Sequence, residues 1–547
     1  MSRPLPTEIS RETFDAIIIG AGINGAGIAR DASMRGLRVL LLDKGDLAGG
    51  TSAWSTRLIH GGLRYLEHGE LGLVRESLRE RETLLRRIAP HLVRPVPMLI
   101  PIYEGARRGR FTIRAGMLAY DLLSFDKSLA PHRMLSAAEA LSLSPGLRAE
   151  GLKGAALYWD AQVEYAERLV VENALSAREH GALVLTYARV ERLMIEGGAV
   201  RGVEFKDLIG GGTHAARAPV VVNAAGPWVD EVLGGIVRTP EKLIGGTKGS
   251  HLVVAPFKGA PEVALYTEAR ADSRPFFIIP WDGKYLLGTT DARYAGDLDR
   301  VEADDGEIDY LLSETNRVLP SARLTRDRVL YTYSGVRPLP ASREGTEAGL
   351  TRRHFIHADT TGAHGLVSIV GGKLTTYRSL AEQTVDLLFR KLGRRSPPCS
   401  TGRTPLPGAQ TKSFETFRET FKARSALAPE VCERLLRVYG VRAVEVARIA
   451  AEIPELQQPL CSAGASIGAE IVFSFRHEMA ETLCDALLRR TMDGLDAAAG
   501  LNALERAAQL AQRYLGWDDA RAALEVAAYR RYVERFHPLK MKRTEPS

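Results

Sequence analysis

The chain of 547 residues is 45% hydrophobic and 25% charged, which excludes global disorder, a collagen-like fibre and a coiled coil. A prior of roughly 150 residues per domain gives two to four domains, and the 52 glycines exceed the ~38 of average usage, as suits a backbone that approaches a ligand at several turns. The net charge of +7 permits nucleic acid, anionic lipid or a phosphate-bearing substrate, and by itself chooses none.

At the N-terminus, residues 1–8 carry no apolar run and an early acid, which argues against a signal peptide. No charge-free stretch anywhere reaches the ~18–20 apolar residues of a bilayer span. From residue 14 the order is strand, glycine-rich turn, helix, strand. Residues 14–19 form a buried β run, 27–35 suit a helix, and 39–42 make a second apolar run ending at Asp43. Further β runs at 218–223 and 366–370 lie between helical stretches, while the aromatic-rich pieces 275–287 and 331–339 read as irregular. This order predicts an α/β fold: a Rossmann-like domain, discontinuous in sequence (about 12–90, 160–245 and 330–395), with an antiparallel β-rich substrate domain interleaved (about 91–159 and 246–329).

Residues 396–408 hold four prolines and read as a linker. Beyond it, 409–547 read as an all-helical C-terminal cap domain. Phe475, Met479, Leu483 and Leu487 recur every four residues, as an apolar stripe on one helix does, and a helix is predicted over 501–515 with Gly516 as its stop. Cys399, Cys432, Cys461 and Cys484 show no C-x-x-C spacing and read as reduced thiols of a cytosolic protein, neither a disulfide framework nor a zinc site.

Gly20-Ala-Gly22-Ile-Asn24-Gly25 fits G-x-G-x-x-G directly after a strand and at the opening of a helix. The first glycine makes the tight turn, the second lets backbone approach a pyrophosphate, and the third lets helix and strand pack closely. The pyrophosphate then rests on the helix N-terminus, where free N–H groups and the dipole favour an anion. Asp43, 23 positions after Gly20, ends the second strand where an acid binds adenosine ribose hydroxyls. Two segments then point to a flavin. Thr51, Ser52 and Ser55 are small hydroxyl residues able to pass beneath the ring, and Arg57, His60, Gly61, Gly62, Arg64, Tyr65 and His68 follow them. Near the other end, Gly371-Gly372-Lys373-Leu374-Thr375 is again a glycine turn between strand and helix, whose backbone N–H groups can hold a flavin carbonyl or ribityl oxygen. Two other matches fail. Gly464-Ala-Ser466-Ile-Gly468 fits G-x-S-x-G without a preceding strand, and His477-Glu478 opens H-E-x-x-H but position 481 is Glu. No metal is predicted.

The sequence resembles the FAD-dependent glycerol-3-phosphate dehydrogenases, the membrane-associated, quinone-reducing kind. The match rests on Ile19-Gly-Ala-Gly-Ile-Asn-Gly-Ala-Gly-Ile-Ala-Arg-Asp31, Leu58-Ile-His-Gly-Gly-Leu-Arg-Tyr-Leu-Glu-His68, Val222-Asn-Ala-Ala-Gly226-Pro-Trp228, Lys248-Gly-Ser-His251, Gly288-Thr-Thr-Asp291, Tyr333-Ser-Gly-Val-Arg-Pro-Leu339 and Gly371-Gly-Lys-Leu-Thr-Thr-Tyr-Arg378. These occur in family order. Residues 469–478 and 488–491 extend the resemblance to the family's appended helical domain. Ala21 replaces a glycine common in the family, and Arg57 a lysine found in some members.

The resemblance implies FAD as cofactor, held by Gly20, Gly22, Asn24, Gly25, Asp43, Thr51, Ser52, Ser55, Arg57, His60, Gly61, Gly62, Gly226, Gly372, Leu374 and Thr375. It implies sn-glycerol 3-phosphate as substrate, oxidised to dihydroxyacetone phosphate by hydride transfer from C2 to flavin N5. Arg64, Arg337, Arg352 and Lys373 then surround the substrate, with Arg353 an equal candidate beside Arg352, and Tyr65 positions substrate or closes the site. Arginine suits phosphate because its planar fork binds two oxygens at once. For the base, His68 and His251 are favoured over His60, since an imidazole takes a proton near neutral pH. Ubiquinone or menaquinone as acceptor, a homodimer, and a cytoplasmic protein lying on the inner face of the cell membrane complete the implied picture. Arg107-Arg-Gly-Arg110-Phe-Thr-Ile-Arg114 and the segment to Tyr120 read either as a basic amphipathic element at an anionic membrane surface or as a helix packed on its own domain. The rivals are a soluble glycerol-3-phosphate oxidase that reduces oxygen, a non-catalytic nucleotide-binding scaffold, and a nucleic-acid-binding flavoprotein. The lack of a concentrated basic stripe with aromatics argues against the last, so no nucleic-acid partner is expected.

Overall fold

The computed structural model describes residues 3–67, 69–234, 242–341, 353–359, 362–462 and 464–537. The four apolar runs read from the sequence, joined by two strands not read there, Phe355–Ala358 and Leu183–Leu185, assemble a six-stranded sheet in the order Phe355–Ala358, Leu366–Val370, Val220–Asn223, Ala16–Ile19, Val39–Leu42, Leu183–Leu185. Only the first pair is antiparallel; the others run parallel, with Ile18 beside Leu41 on one side and Val222 on the other. Strands buried on both faces read as unbroken hydrophobic runs, and the central Ala16–Ile19 and Val39–Leu42 do. The helices Ile23–Met34, Ala166–Glu179 and Tyr377–Lys391 cover one face. A three-stranded antiparallel sheet, Ala188–Glu196, Ala199–Asp207 and Thr213–Arg217, packs on the other.

A ten-stranded, almost wholly antiparallel sheet forms the second layer. The two pieces read as irregular lie in it. Pro275–Trp281 and Lys284–Gly288 are a hairpin whose turn, Asp282-Gly283, takes positive φ at both residues (48° and 69°), the conformation a two-residue hairpin needs. Val329–Arg337 pairs along Thr247–Val254. Pro275 and Pro280 in the first piece and a glycine inside the second obscure the two-residue alternation. Val329–Arg337 therefore belongs to the substrate sheet, on the other side of the domain boundary drawn from sequence near residue 330. Leu152–Val163 likewise continues the sheet across the boundary drawn at 160.

Residues 396–408 run along the nucleotide domain, with Leu406 N–H donating to Ile88 O and Gly408 N–H to Glu172 Oε2. The C-terminal region is helical, from Phe414–Arg424 to Asp519–Val533. The four-residue stripe does not lie on one helix. The helix Gly468–His477 ends before Met479, whose φ of 59° turns the chain, and a separate short helix holds Leu483. Leu504–Leu515 follows the expected helix closely, stopped by Gly516 at φ 74°. One continuous apolar core joins these helices to the large sheet through Tyr331, Tyr439 and Phe536.

Candidate active site

A cavity of about 1030 Å³ lies between the two main sheets and runs from the end of the first parallel strand to the large sheet. Its nucleotide end is built by the glycine turn. Gly20 has φ 99°, and a Cβ there would lie 2.7 Å from Ala224 O. A Cβ on Gly25 would fall 1.8 Å from Gly20 O, so this residue stands behind the wall and serves the close packing of helix on strand. Gly22 caps the helix, and Ile23 N–H donates to Ser52 Oγ at 3.0 Å. The Asp43 carboxylate accepts from Ala21 N–H (2.6 Å) and Gly45 N–H (2.8 Å); its burial nonetheless pushes its pKa up. Thr51 Oγ1 donates to Val336 O, and Ser55 Oγ accepts from Arg57 N–H. Asn24 Nδ2 donates to Gly371 O at 3.4 Å, while the buried Asn24 Oδ1 and Trp228 Nε1 have no hydrogen-bond partner among the described residues.

Further along, His60, Gly62, Arg64, Tyr65, Gly226, Gly372, Lys373, Leu374 and Thr375 line the same cavity. Gly61 lies behind it. Its N–H donates to Tyr120 Oη (2.9 Å), and Tyr120 in turn donates to the buried Asp160, which also pairs with Arg81. Thr375 Oγ1 accepts from His60 N–H, fixing the two loops to each other. Burial, followed by the charge of Lys373, pushes the His60 imidazole down to about 4. Lys373 Nζ sits 4.3 Å from the centre of the Tyr65 ring and donates to Ser77 Oγ.

The large sheet adds a cationic group. Arg337 donates to Asp291 Oδ1 (3.0 Å) and Thr289 Oγ1 (2.9 Å), and Arg274 pairs with the other oxygen of Asp291 at 3.3 Å. Arg274 was not anticipated; it lies in a turn with no motif around it. His251 stacks on Tyr333 at 4.8 Å, and its Nε2 shares a 2.9 Å hydrogen bond with Thr56 Oγ1. Burial, then the charges of Arg337 and Arg57, hold its pKa well below the ordinary range, so the ring is neutral.

Arg57 differs from expectation. Its guanidinium is fully buried and bound to both oxygens of Glu167 at 2.7 and 2.8 Å, with the Trp281 ring 4.7 Å away. Arg57 lines the cavity, but Glu167 takes the two terminal nitrogens of its guanidinium, which braces the loop. His68 and Arg352 lie outside the described residues.

A parallel sheet with a glycine turn at a helix N-terminus, opening on a cavity shared with an antiparallel sheet, defines a dinucleotide-binding protein. Residues 15–378 match the family described as FAD dependent oxidoreductase, and 399–522 match the C-terminal domain of alpha-glycerophosphate oxidase. The chain is 47% identical to a glycerol-3-phosphate dehydrogenase of Synechocystis over 96% of its own length and 97% of the relative's. It is 35% identical to an aerobic glycerol-3-phosphate dehydrogenase of Staphylococcus haemolyticus, covering 88% and 87%. A glycerol-3-phosphate dehydrogenase from Bacillus halodurans, solved with FAD, superposes with a TM-score of 0.77 at 29% identity, over 99% of this chain and 98% of that one. The chain belongs to the FAD-dependent glycerol-3-phosphate dehydrogenase family, and FAD is its cofactor.

The residues present fit that group. The glycine turn leaves room for a pyrophosphate, and the unpartnered Asn24 Oδ1 and Trp228 Nε1 supply polar atoms for a ligand along the same wall.

Proposed function

We propose that this flavoenzyme oxidises sn-glycerol 3-phosphate to dihydroxyacetone phosphate and passes the electrons to a membrane quinone. The observation that carries the substrate is the cationic end of the cavity: Arg274 and Arg337 converge on Asp291 at its wall, and Arg64 and Lys373 line the same space. A phosphate dianion is the ligand such a cluster favours, and the relatives carry the same activity in their names.

Bound FAD supplies the acceptor for the C2 hydride. The protein's part is to hold the phosphate and take the hydroxyl proton. His251 is the group we assign to the proton: it is neutral, at the cavity wall, and close enough to Arg337 to feel its charge. A phosphate seated on Arg337 offsets part of the charge that lowers the imidazole pKa, so substrate binding itself makes the ring a better base.

The helix Arg110–Leu123 supports the membrane partner. It buries Ile113, Met117 and Tyr120 inward, yet leaves Phe111 87%, Leu122 74% and nearby Phe125 76% exposed, with Arg107 and Arg114 alongside. Exposed apolar side chains beside arginines suit an anionic lipid surface. No helix among the described residues is long and apolar enough to cross a membrane.

An anaerobic visible spectrum before and after adding sn-glycerol 3-phosphate tests the reading. Bleaching of the oxidised flavin band is expected; a band that stays oxidised overturns the substrate. Peroxide released in step with substrate in the presence of a quinone analogue would assign the acceptor to oxygen instead, the reading favoured by the match of 399–522 to an oxidase domain.

A further inference from the structure

The helical C-terminal region touches the walls of the cavity at two independent places. In the first, the fully buried carboxylate of Asp46, three residues beyond Asp43, binds Arg489 Nε at 2.5 Å and Arg490 Nη1 and Nη2 at 2.9 and 2.7 Å. Arg489 also binds Asp485 at 2.8 Å, and the same Asp485 oxygen accepts from Tyr187 Oη at 2.6 Å. Tyr187 N–H donates to Gly45 O, and Ala188 N–H to Asp43 O. One short stretch, 485–490, therefore holds both chain segments that flank Asp43. Burial works against the charge on Asp46, yet the two guanidiniums outweigh it and keep its pKa below the usual carboxylate range.

In the second place, Arg535 Nη1 donates to Asp299 O at 3.0 Å, and the Asp299 carboxylate pairs with Lys44 at 2.6 Å. Lys44 in turn sits 4.5 Å above the Trp228 ring. Phe536 packs edge-on against Trp54, with ring centres 5.3 Å apart. Lys44, Trp54, Trp228, Asp299, Arg535 and Phe536 all line the cavity.

In a dinucleotide fold the acid ending the second strand faces the adenosine ribose. A loop left free there must be ordered each time the ligand binds, and that ordering subtracts from affinity. We propose that the helical domain is a clamp for FAD: Asp46, Arg489 and Arg490 are positioning residues that preorder the Asp43 loop, Arg535 holds Asp299 beside Lys44, and Phe536 backs Trp54 in the loop that passes beneath the flavin. A buried ion pair adds little stability over an apolar contact of the same shape. What it adds is a fixed position, and here the fixed element is the cofactor loop.

The test is FAD titration of the apoprotein followed by flavin fluorescence, with no glycerol phosphate present, so that neither substrate nor acceptor enters the result. Asp46→Asn and Phe536→Ala are each expected to raise the FAD dissociation constant roughly tenfold or more. Activity they lose on dilution is expected to return when FAD is added. Leu510→Ala serves as control: Leu510 is equally buried in the helical domain and packs by Gly468, away from the Asp46 cluster and from Phe536. It is expected to lower the melting temperature and leave FAD affinity unchanged. The clamp is overturned if Phe536→Ala binds FAD as the unaltered chain does. It is equally overturned if Leu510→Ala weakens FAD as much as Asp46→Asn. Should Asp46→Asn not fold, Phe536→Ala, which leaves the ionic cluster intact, decides alone.

Discussion

Asp291 holds two arginines on one carboxylate and so fixes both guanidiniums at the cavity wall. Replacing Arg337 with methionine keeps the bulk and removes the charge-assisted bonds, worth about 2–3 kcal/mol, which predicts a roughly 30- to 150-fold fall in kcat/KM for glycerol 3-phosphate. Steady-state kinetics on the purified variant check this, and an unchanged kcat/KM would remove Arg337 from the substrate site. Arg337 was legible because it stands at the end of an apolar run and before a proline, in a motif. Arg274 was not, because nothing local marks a turn residue that meets its partner only in the folded sheet. Arg57 shows a different limit. It lines the cavity as Ser55 and His60 do, but Glu167, more than a hundred positions away, takes its guanidinium. Sequence reading places a side chain near a site; it does not say which distant carboxylate will claim it.

At the scale of elements, the helix Arg110–Leu123 has two apolar faces with different purposes. Its inner face carries Tyr120 to Gly61 and Asp160, behind the flavin loop, while its outer face presents Leu118 and Leu122 to solvent. Burying two exposed leucines in a lipid interface is worth about 3 kcal/mol together. The double substitution Leu118→Glu, Leu122→Glu should therefore weaken cosedimentation with phosphatidylcholine–phosphatidylglycerol vesicles on the order of a hundredfold, and leave anaerobic bleaching by glycerol 3-phosphate intact. Vesicle binding that survives the change would place the membrane contact elsewhere. The parallel strands were readable because burial on both faces makes them unbroken apolar runs. The antiparallel hairpin at Pro275–Gly288 carried a readable signal as well, Asp282-Gly283, but Pro275 and Pro280 masked the alternation of its first strand. The four-residue stripe at 475–487 failed for a different reason: periodicity is blind to one left-handed residue, and Met479 supplies it.

Across the whole molecule, the helical domain is joined to the nucleotide domain by buried charge as well as by apolar core. Glu478 binds Arg168 of the helix Ala166–Glu179 through both oxygens, at 2.6 and 2.8 Å, and also pairs with Arg442. Burial alone would raise its pKa; Arg168 and Arg442 reverse this and bring it to about 2. Because the folded value lies below the unfolded one, the unfolded chain takes up the proton first as pH falls. The stabilisation is thus complete above about 4.5 and is lost progressively as pH drops toward 2. The shift corresponds to about 3 kcal/mol at neutral pH. Glu478→Gln keeps the shape and removes the charge, leaving Arg168 buried beside a neutral amide, and should lower stability by about that amount at pH 7. The gap between the variant and the unaltered chain should then shrink to roughly less than half its neutral value by pH 3. Thermal unfolding of both proteins across this range measures it. A gap that stays constant with pH would mean that Glu478 contributes through packing and hydrogen bonds alone, and that the junction between the domains is not held by its charge.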